Sequence, residues 1–431
     1  MRRFLMMLLV LAAIHAVQAQ AYMHIRLKSN ERIDLKTDEI AYIDFSVAEK
    51  GALENPYTVA ELLEACDGLA ADAYLGDGKM VCTRGIVSRI KEVNTSYGNV
   101  TYYIGDTAMG GTSLYVYRGK LLNGARAIND KAIHVGDTVV VYGKVINFKG
   151  STIEYAQDNY LVGYQQFNVT PSTEKMQAAL ARLEFPRSSD NGQSLVVLHE
   201  GRLNDRTGET GINYSIEWDN AKKAQRWSCY QMYASLLESN TSRTSSSYPN
   251  DFFLPDDMQF SADPYKSSGY DHGHICPSAD RLSSEEVNAQ TFFLSNMQPQ
   301  THSFNAGIWA RMETQVRQWA DIFDTLYVVK GGTIDADDQI ITYISNESET
   351  IPVPRYFFMG LLGKSPTGYS ALGFWVEHKD GYSTRVPLSD FVVNISDLQQ
   401  LTGIDFFHNL PDDIEQEVEN ISSETLKNLW F

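Results

Sequence analysis

A short segment with two histidines constrains this chain more than any other part of it. His272 and His274 stand two residues apart in the stretch Gly-Tyr-Asp-His-Gly-His-Ile-Cys-Pro at 269–277. On an extended backbone, side chains two residues apart point to the same face. The spacing therefore predicts a strand that presents both imidazoles to one site.

A helix is predicted downstream, over residues 304–317. Asn305, Trp309, Glu313 and Arg317 recur there at steps of four. Residues four apart are neighbours on a helix surface, so these side chains are expected to share one broad face. Trp309 is predicted to be a packing residue, and the other three are polar enough to take part in chemistry.

These residue types fit hydrolysis of a phosphodiester bond. A neutral imidazole accepts a proton from water near pH 7, because its ordinary pKa of about 6.5 is close by. The amide oxygen of Asn305 suits Mg²⁺, which keeps several waters and takes further ligands from a substrate phosphate. Glu313 could hold those waters, and Arg317 could bind the phosphate through its fork of donors.

Residues 268–317, and more loosely 190–420, resemble the DNA/RNA non-specific endonucleases, which are nucleases of the ββα-metal type. The resemblance implies that His274 is the general base and Asn305 the metal ligand. It further implies that Glu313 holds metal-bound water, that Arg317 is the functional helix arginine, and that Asn296 orients the site. The implied cofactor is a divalent metal, with Mg²⁺ first and Mn²⁺ as the alternative, and the implied substrates are DNA and RNA.

One position departs from the family's Asp-Arg-Gly-His motif, because its arginine is His272 here. His272 is predicted either to contact the phosphate as a protonated imidazole or to be a tolerated replacement. In the first case His272 must be charged while His274 is neutral, which predicts a bell-shaped pH–rate profile. Arg243 is a second candidate for substrate binding, since family members place an arginine in this loop; a solvated loop arginine is the plainer alternative.

The N-terminus predicts export. Two arginines, an apolar run at 4–14 and a small residue at Ala19 are typical of a secretory signal peptide over residues 1–19, with Ala21 a nearly equal cleavage position. The run is too short for a resident membrane helix. The protein is therefore predicted to be periplasmic or extracellular, without a membrane span.

Four cysteines are divided equally between the two halves of the chain: Cys66, Cys82, Cys229 and Cys276. Export would permit disulfides, and the pairings 66–82 and 229–276 stay within one half each. The sequence cannot fix the pairing, and buried free thiols are the favoured alternative.

Charge is concentrated in the second half. Residues 171–431 hold 19 Lys+Arg against 36 Asp+Glu, a net charge of −17, while the whole chain carries −18. Such acidity disfavours contact with nucleic acid. The stretch 287–310, however, has no charged residue. It is predicted either to keep the site nearly free of carboxylates that would repel phosphate or to be buried scaffold, and the two are compatible.

Residues 51–166, after a short β leader at 20–50, are predicted to form a small β-barrel that resembles an OB-fold module. About five short strands separated by turns suggest this architecture. They are predicted at 80–90, 100–104, 113–117, 137–146 and 152–155. Tyrosines in these strands could stack on bases, although packing in the barrel core is the commoner role of aromatic residues. The candidates are Tyr102, Tyr103, Tyr115, Tyr117 and Tyr142.

Residues 167–190 are predicted to be a linker, and 191–431 the endonuclease domain. The predicted fold class is α+β, with a central antiparallel sheet in the nuclease domain. Strands at 213–218 and 224–233 are predicted to form a hairpin in this domain. A metal-dependent hydrolase that cleaves DNA and RNA without strong sequence specificity is the resulting functional prediction. The alternative is a binding protein on a nuclease scaffold weakened by loss of the motif arginine. A lectin-like first domain is a third possibility. The intact His/Asn/Glu set argues against a binder, because binding needs no general base.

Overall fold

The protein is described here by a computed structural model. The described residues are 22–26, 32–36, 48–129, 132–167, 170–189, 194–243, 247–346 and 349–431. The predicted signal peptide at 1–19 lies outside these residues. The chain divides into two compact units, residues 1–50 and 51–431.

The first unit contains a pair of strands, β1 (Tyr22–Arg26) and β2 (Arg32–Lys36). They pair in antiparallel fashion, with Tyr22 opposite Lys36. Both strands lie within the β leader predicted at 20–50.

The second unit begins with one helix and a sheet of seven strands. Their bounds are α1 (Val59–Ala65), β3 (Val81–Asn94), β4 (Asn99–Gly105), β5 (Ser113–Leu122), β6 (Thr138–Gly143), β7 (Val145–Phe148), β8 (Thr152–Tyr155) and β9 (Tyr160–Gln165).

Five of these strands are paired in a ring. β3 pairs with β4 and β6, β6 with β9, β9 with β5, and β5 again with β4. β9 was not among the predicted strands, and the strand predicted over 137–146 is interrupted at Lys144. Tyr102 is only 1% exposed, so it belongs to the core of this sheet and is not available to stack on bases. The OB-like identity of this part remains a prediction.

The remainder of the second unit is a mixed α and β arrangement. Its helices and strands are α2 (Thr173–Leu180), β10 (Ser194–Arg202), β11 (Thr210–Asp219), β12 (Ala224–Met232), β13 (Asp271–His274), α3 (Glu285–Gln290), β14 (Met297–Gln300), α4 (Ala310–Ala320), β15 (Thr325–Gly332), β16 (Ile340–Asn346), β17 (Glu349–Pro354), β18 (Tyr356–Ser365), β19 (Gly368–Glu377), β20 (Val392–Val393), α5 (Ile395–Thr402), α6 (Asp412–Glu419) and α7 (Ser423–Trp430).

A central antiparallel sheet with the strand order β10-β11-β12-β15-β18-β19-β20 organises this part. It confirms the predicted antiparallel sheet and the predicted hairpin, β11–β12. One face of the sheet packs under α4 through buried apolar side chains that include Met312, Val316 and Trp319. This packing holds α4 and the β13–β14 pair on the same side of the sheet, where the candidate site lies.

The four cysteines are buried free thiols, as the favoured alternative predicted. Burial raises the pKa of the Cys276 thiol to about 12. Among the described residues, no helix is long and apolar enough to cross a membrane.

Candidate active site

The two motif histidines lie on β13, which pairs with β14. Gly273, between them, is opposite Gln298 and lies against the side chain of Gln300. A Cβ placed on Gly273 would lie 2.4 Å from Cδ of Gln300 and 2.6 Å from the carbonyl oxygen of Gln298. Only glycine fits at this approach. The strand geometry therefore places both imidazoles on the opposite face, as the spacing predicted.

Asn296 locks the backbone that follows His274. Its Oδ1 accepts a hydrogen bond from the backbone N–H of Cys276 at 2.9 Å, and its Nδ2 donates to the carbonyl oxygens of Cys276 and Thr291 at 2.8 and 2.7 Å. The side chain is fully buried. Asn296 therefore positions the histidine strand and does not itself face the cavity.

His274 is held as a neutral base. One side of its ring is hydrogen-bonded to the backbone of His272, while Nε2 is buried and has no hydrogen-bond partner among the described residues. Burial, followed by the nearby positive charge of Arg243, lowers the pKa of His274 to about 3. At pH 7 the imidazole is therefore neutral, with a free lone pair available to accept a proton.

Asn305 is oriented by a carboxylate that the sequence analysis did not single out. Its Nδ2 donates to Oδ2 of Asp271 at 3.0 Å, and Nδ1 of His302 lies 2.9 Å from the same oxygen. Because the amide nitrogen is engaged by Asp271, the oxygen of Asn305 is turned away from that carboxylate and is free to act as a ligand.

The predicted helix over 304–317 is not regular. A π-helical turn spans Phe304–Trp309, with a kink at Gly307, and the α-helix α4 begins only at Ala310. The predicted spacing of four therefore does not apply between Asn305 and Glu313, because a π turn takes an extra residue. Both side chains nevertheless line the same cavity.

Glu313 is partly screened from solvent, with its side chain 14% exposed. Burial raises the pKa of Glu313 to about 7, and the positive charge of Lys330 is the largest influence in the opposite direction. Oε1 of Glu313 lies 3.8 Å from Nζ of Lys330, which is fully buried on β15. Glu313 is thus poised between its two protonation states near neutral pH.

A cavity of about 380 Å³ brings these groups together. Its lining includes five of the seven predicted site residues: Arg243, His272, His274, Asn305 and Glu313. Asp271 and Tyr248 also line it. Neither residue was predicted from the sequence, although the first position of the motif Asp-His-Gly-His was a usable signal for Asp271.

Arg317 lies outside this lining. Its guanidinium donates to Oδ1 of Asp280 at 2.9 Å and to Oγ1 of Thr314 at 3.1 Å. Asp280 is buried and also accepts from the hydroxyl of Tyr230 at 2.9 Å. In this structure Arg317 therefore neutralises a buried carboxylate, and the arginine that lines the cavity is Arg243.

Arg243 rests on an aromatic ring, with its guanidinium carbon 4.7 Å from the centroid of Phe292. Phe292 also meets the His274 ring edge-on, with centroids 5.1 Å apart. A guanidinium that contacts a ring through a cation–π interaction still has N–H donors for a phosphate.

His272 is held in place by an aromatic ring and a carboxylate. Its ring is parallel to that of Tyr248 at 3.7 Å, and Nε2 lies 3.1 Å from both oxygens of Asp263. Burial lowers the pKa of His272, partly opposed by the Asp263 carboxylate. A lowered pKa disfavours the protonated form that the phosphate-contact hypothesis requires.

The donors present fit a hard divalent cation with few protein ligands. The cavity offers the amide oxygen of Asn305 and carboxylate oxygens of Asp271 and Glu313. No cluster of three or more His, Cys, Asp or Glu side chains with metal-site geometry occurs within the described ranges. Oxygen donors combined with waters and substrate phosphate suit Mg²⁺ better than a closed, all-protein site would.

Comparison with known proteins gives a consistent result. Residues 203–413 match the profile of a family described as "DNA/RNA non-specific endonuclease". The chain is 28% identical over 280 residues to the human protein "Nuclease EXOG, mitochondrial", a match that covers 59% of this chain and 74% of that protein. It is 30% identical to the "Mitochondrial nuclease" of Saccharomyces cerevisiae, over 41% of this chain and 58% of the relative. A "Nuclease" of Syncephalastrum racemosum is 28% identical, over 49% of this chain and 69% of that protein.

The prediction of export was wrong by this comparison. The human and yeast relatives that overturn it are both named mitochondrial. An apolar run after two arginines shows only that the N-terminus is hydrophobic and positively charged. The compartment to which a protein is sent depends on the receptor that recognises such a segment.

Proposed function

Because this chain belongs to the DNA/RNA non-specific endonuclease family and is a hydrolytic endonuclease, we propose that it cleaves phosphodiester bonds of DNA and RNA with the help of a divalent metal ion. One observation carries the proposal: Nε2 of His274 is unpartnered among the described residues, in the same cavity as Asn305 and Glu313. A base without a bonded proton, beside oxygen donors for a cation, is the arrangement that hydrolysis of a phosphodiester needs.

His274 accepts the proton of the attacking water at Nε2. Without substrate, the pKa of His274 is about 3, so its ring is neutral. The negative charge of an entering phosphate then favours the protonated imidazole that forms when His274 takes the proton. Asn296 and Gly273 contribute by fixing the strand, so that the ring does not have to be ordered during the reaction.

Asn305 would hold the cation, with Asp271 fixing the orientation of its amide. A bound divalent cation supplies charge stabilisation to the phosphate oxygens as the leaving oxygen departs. Glu313 in its ionised form would accept hydrogen bonds from waters of that cation, and Lys330 favours the ionised form. Arg243, which lines the same cavity and lies over the ring of Phe292, would present donors to a phosphate oxygen.

Digestion of plasmid DNA and of a purified RNA tests this proposal, each with Mg²⁺ and with excess EDTA. His274→Ala is expected to lower turnover by about 10²–10⁴. The matched control is His408→Ala, a histidine outside the cavity lining, which should retain wild-type turnover. Cleavage that persists in His274→Ala, or that is unaffected by EDTA, would contradict the proposal.

A further inference from the structure

Three tyrosines form a row on the strands β4 and β5 of the first sheet. The rings of Tyr103 and Tyr115 are 4.8 Å apart, and those of Tyr115 and Tyr117 are 6.3 Å apart. All three side chains are partly exposed. Unlike the buried Tyr102, they are therefore accessible from outside the sheet.

Each ring in this row has a basic side chain beside it. The guanidinium of Arg89 lies 4.1 Å from the centroid of Tyr103, and that of Arg118 lies 5.0 Å from the centroid of Tyr117. Nζ of Lys91 donates to the hydroxyl of Tyr115 at 3.1 Å. These six residues are called the tyrosine face: Arg89, Lys91, Tyr103, Tyr115, Tyr117 and Arg118.

The strand register explains why these groups share one side of the sheet. Arg89 is opposite Tyr103 in the β3–β4 pair, and Tyr103 is opposite Tyr115 in the β4–β5 pair. Directly opposed residues point to the same face. Next in the row is Glu154, opposite Tyr115 across β5–β8, but it is only 7% exposed, and burial raises the pKa of its carboxyl. The accessible charge of the face is therefore positive.

We propose that the tyrosine face binds single-stranded nucleic acid, with bases stacked on its rings and phosphates held by Arg89, Lys91 and Arg118. Aromatic rings interleaved with cations suit binding of a single strand. Each base can stack on an aromatic ring, and each phosphate carries a negative charge that a cation can neutralise. The inference rests on the proposed function, since the bound strand would be substrate for the cavity.

The tyrosine face is fixed to the nuclease part of the chain. The turn that joins β4 to β5 contains Met109, which packs against the main nuclease core, and Gly110. A Cβ on Gly110 would lie 2.8 Å from Cγ of Glu285, so this turn sits directly on α3. A strand held by the face is thus held by the same compact unit as the cavity, which raises the local concentration of substrate.

Binding is measured on the full chain carrying His274→Ala, so that the probe is not cut. The probe is a fluorescein-labelled oligothymidylate of about 20 nucleotides, followed by fluorescence anisotropy. Tyr103→Ala and Tyr115→Ala are each expected to weaken binding about tenfold, while Tyr115→Phe, which keeps the ring, should retain the affinity. Arg89→Gln should reduce the slope of log affinity against log salt by about 0.7.

Tyr160→Ala is the matched control. Tyr160 and Tyr142 form an aromatic pair on β9 and β6 of the same sheet, with centroids 5.7 Å apart. The Tyr160→Ala variant should bind the oligothymidylate with the same affinity as the chain that carries His274→Ala alone. Thermal unfolding should show that all variants are folded. A second probe, an abasic strand of equal length, should bind weakly and be insensitive to Tyr103→Ala.

Unchanged affinity in Tyr103→Ala and Tyr115→Ala would overturn the inference, as would an equal loss in Tyr160→Ala or tight binding of the abasic strand. Such a result would leave the proposed cleavage intact, since that is measured separately through the His274-dependent digestion. A failure of digestion with normal oligothymidylate binding would instead contradict only the proposed function.

Discussion

Oε1 of Glu313 lies 3.8 Å from Nζ of Lys330, and that lysine is fully buried. Its ammonium group has no hydrogen-bond partner among the described residues and lies 5.8 and 5.7 Å from the ring centroids of Tyr230 and Trp309. An ammonium group without a hydrogen bond is costly to bury, so its main compensation is the negative charge of Glu313. Glu313 therefore compensates the buried charge of Lys330, and Lys330 in turn favours the ionised form of Glu313.

Lys330→Met should move the acid limb of the pH–rate profile to higher pH. Burial already raises the pKa of Glu313 to about 7, and Lys330 is the largest influence holding it down. Because Glu313 acts in its ionised form, a further rise of about one unit would lower kcat/KM about tenfold on the acid side of that pKa, with recovery at alkaline pH. The pH dependence of kcat/KM measures this, with the exposed Lys379→Met as control. An unshifted acid limb would show that Lys330 does not set the charge of Glu313.

Asp271→Ala should lower the apparent affinity for Mg²⁺ more than His302→Ala does. Asp271 holds the amide of Asn305, whereas His302 is 83% exposed and only contacts the same carboxylate. Loss of a group that orients a metal ligand typically costs about 10–100-fold. The Mg²⁺ concentration for half-maximal activity should rise accordingly in Asp271→Ala. Equal effects of the two substitutions would contradict this ranking.

His272→Gln should leave the shape of the pH–rate profile unchanged above pH 7. The hypothesis of a charged His272 predicts a basic limb set by this residue, but burial lowers the pKa of its ring, so it is already neutral there. A glutamine amide can still donate to Asp263. Activity is therefore expected to fall only a few-fold, about the value of one neutral hydrogen bond. Loss of the basic limb in this variant would restore the original hypothesis.

Gly273→Ala should destabilise the protein by about 2–4 kcal/mol and abolish cleavage, because the added methyl group would meet the backbone oxygen of Gln298. Gly208→Ala is the comparison: Gly208 has a φ of +71° but open space around it, so only backbone strain of about 1 kcal/mol is expected. Chemical denaturation of both variants measures the difference. Similar values would show that β13 can move away from β14.

Arg317→Ala should cost about 3 kcal/mol of stability, because it leaves the buried carboxylate of Asp280 without the positive charge of its ion-pair partner. Adding Asp280→Asn should restore most of this loss. If Arg317 also binds phosphate, the double variant will be stable but still slow; wild-type activity would confine Arg317 to neutralising Asp280. Denaturation and kcat/KM on the same three variants separate the two roles.

Local patterns sufficed to predict the strands that carry regular alternation and the face shared by the two histidines. The hairpin β11–β12 and the central sheet agree with the prediction from the sequence. Strands that are bounded by clear turn residues can be recognised from the local sequence alone. β10 and β9 were missed. The strand predicted over 137–146 ends early, at Gly143, where a Cβ would lie 2.6 Å from Cβ of Asn159. Where this strand ends therefore depends on a contact with a residue distant in sequence, which local patterns do not show.

The site was predictable in its residue types but not in its pairings. Asp271 reaches Asn305, and Lys330 reaches Glu313, across elements that are distant in sequence. Arg317 stood at the expected spacing, yet its partner Asp280 could be known only from the fold. The π turn at Gly307 likewise changes which residues share a face, and the periodicity of the sequence does not predict it.

The ring of pairings in the first sheet has a consequence for how this protein meets other chains. Since β4 closes back onto β5, β7 is the strand left at an edge among the described pairings of this sheet. It has four residues, and its Ile146 is bridged to Tyr74. Unpaired strand edges are where proteins recruit further strands and aggregate. A sheet that exposes so little unpaired backbone can present an aromatic surface to solvent while remaining a poor template for fibre growth.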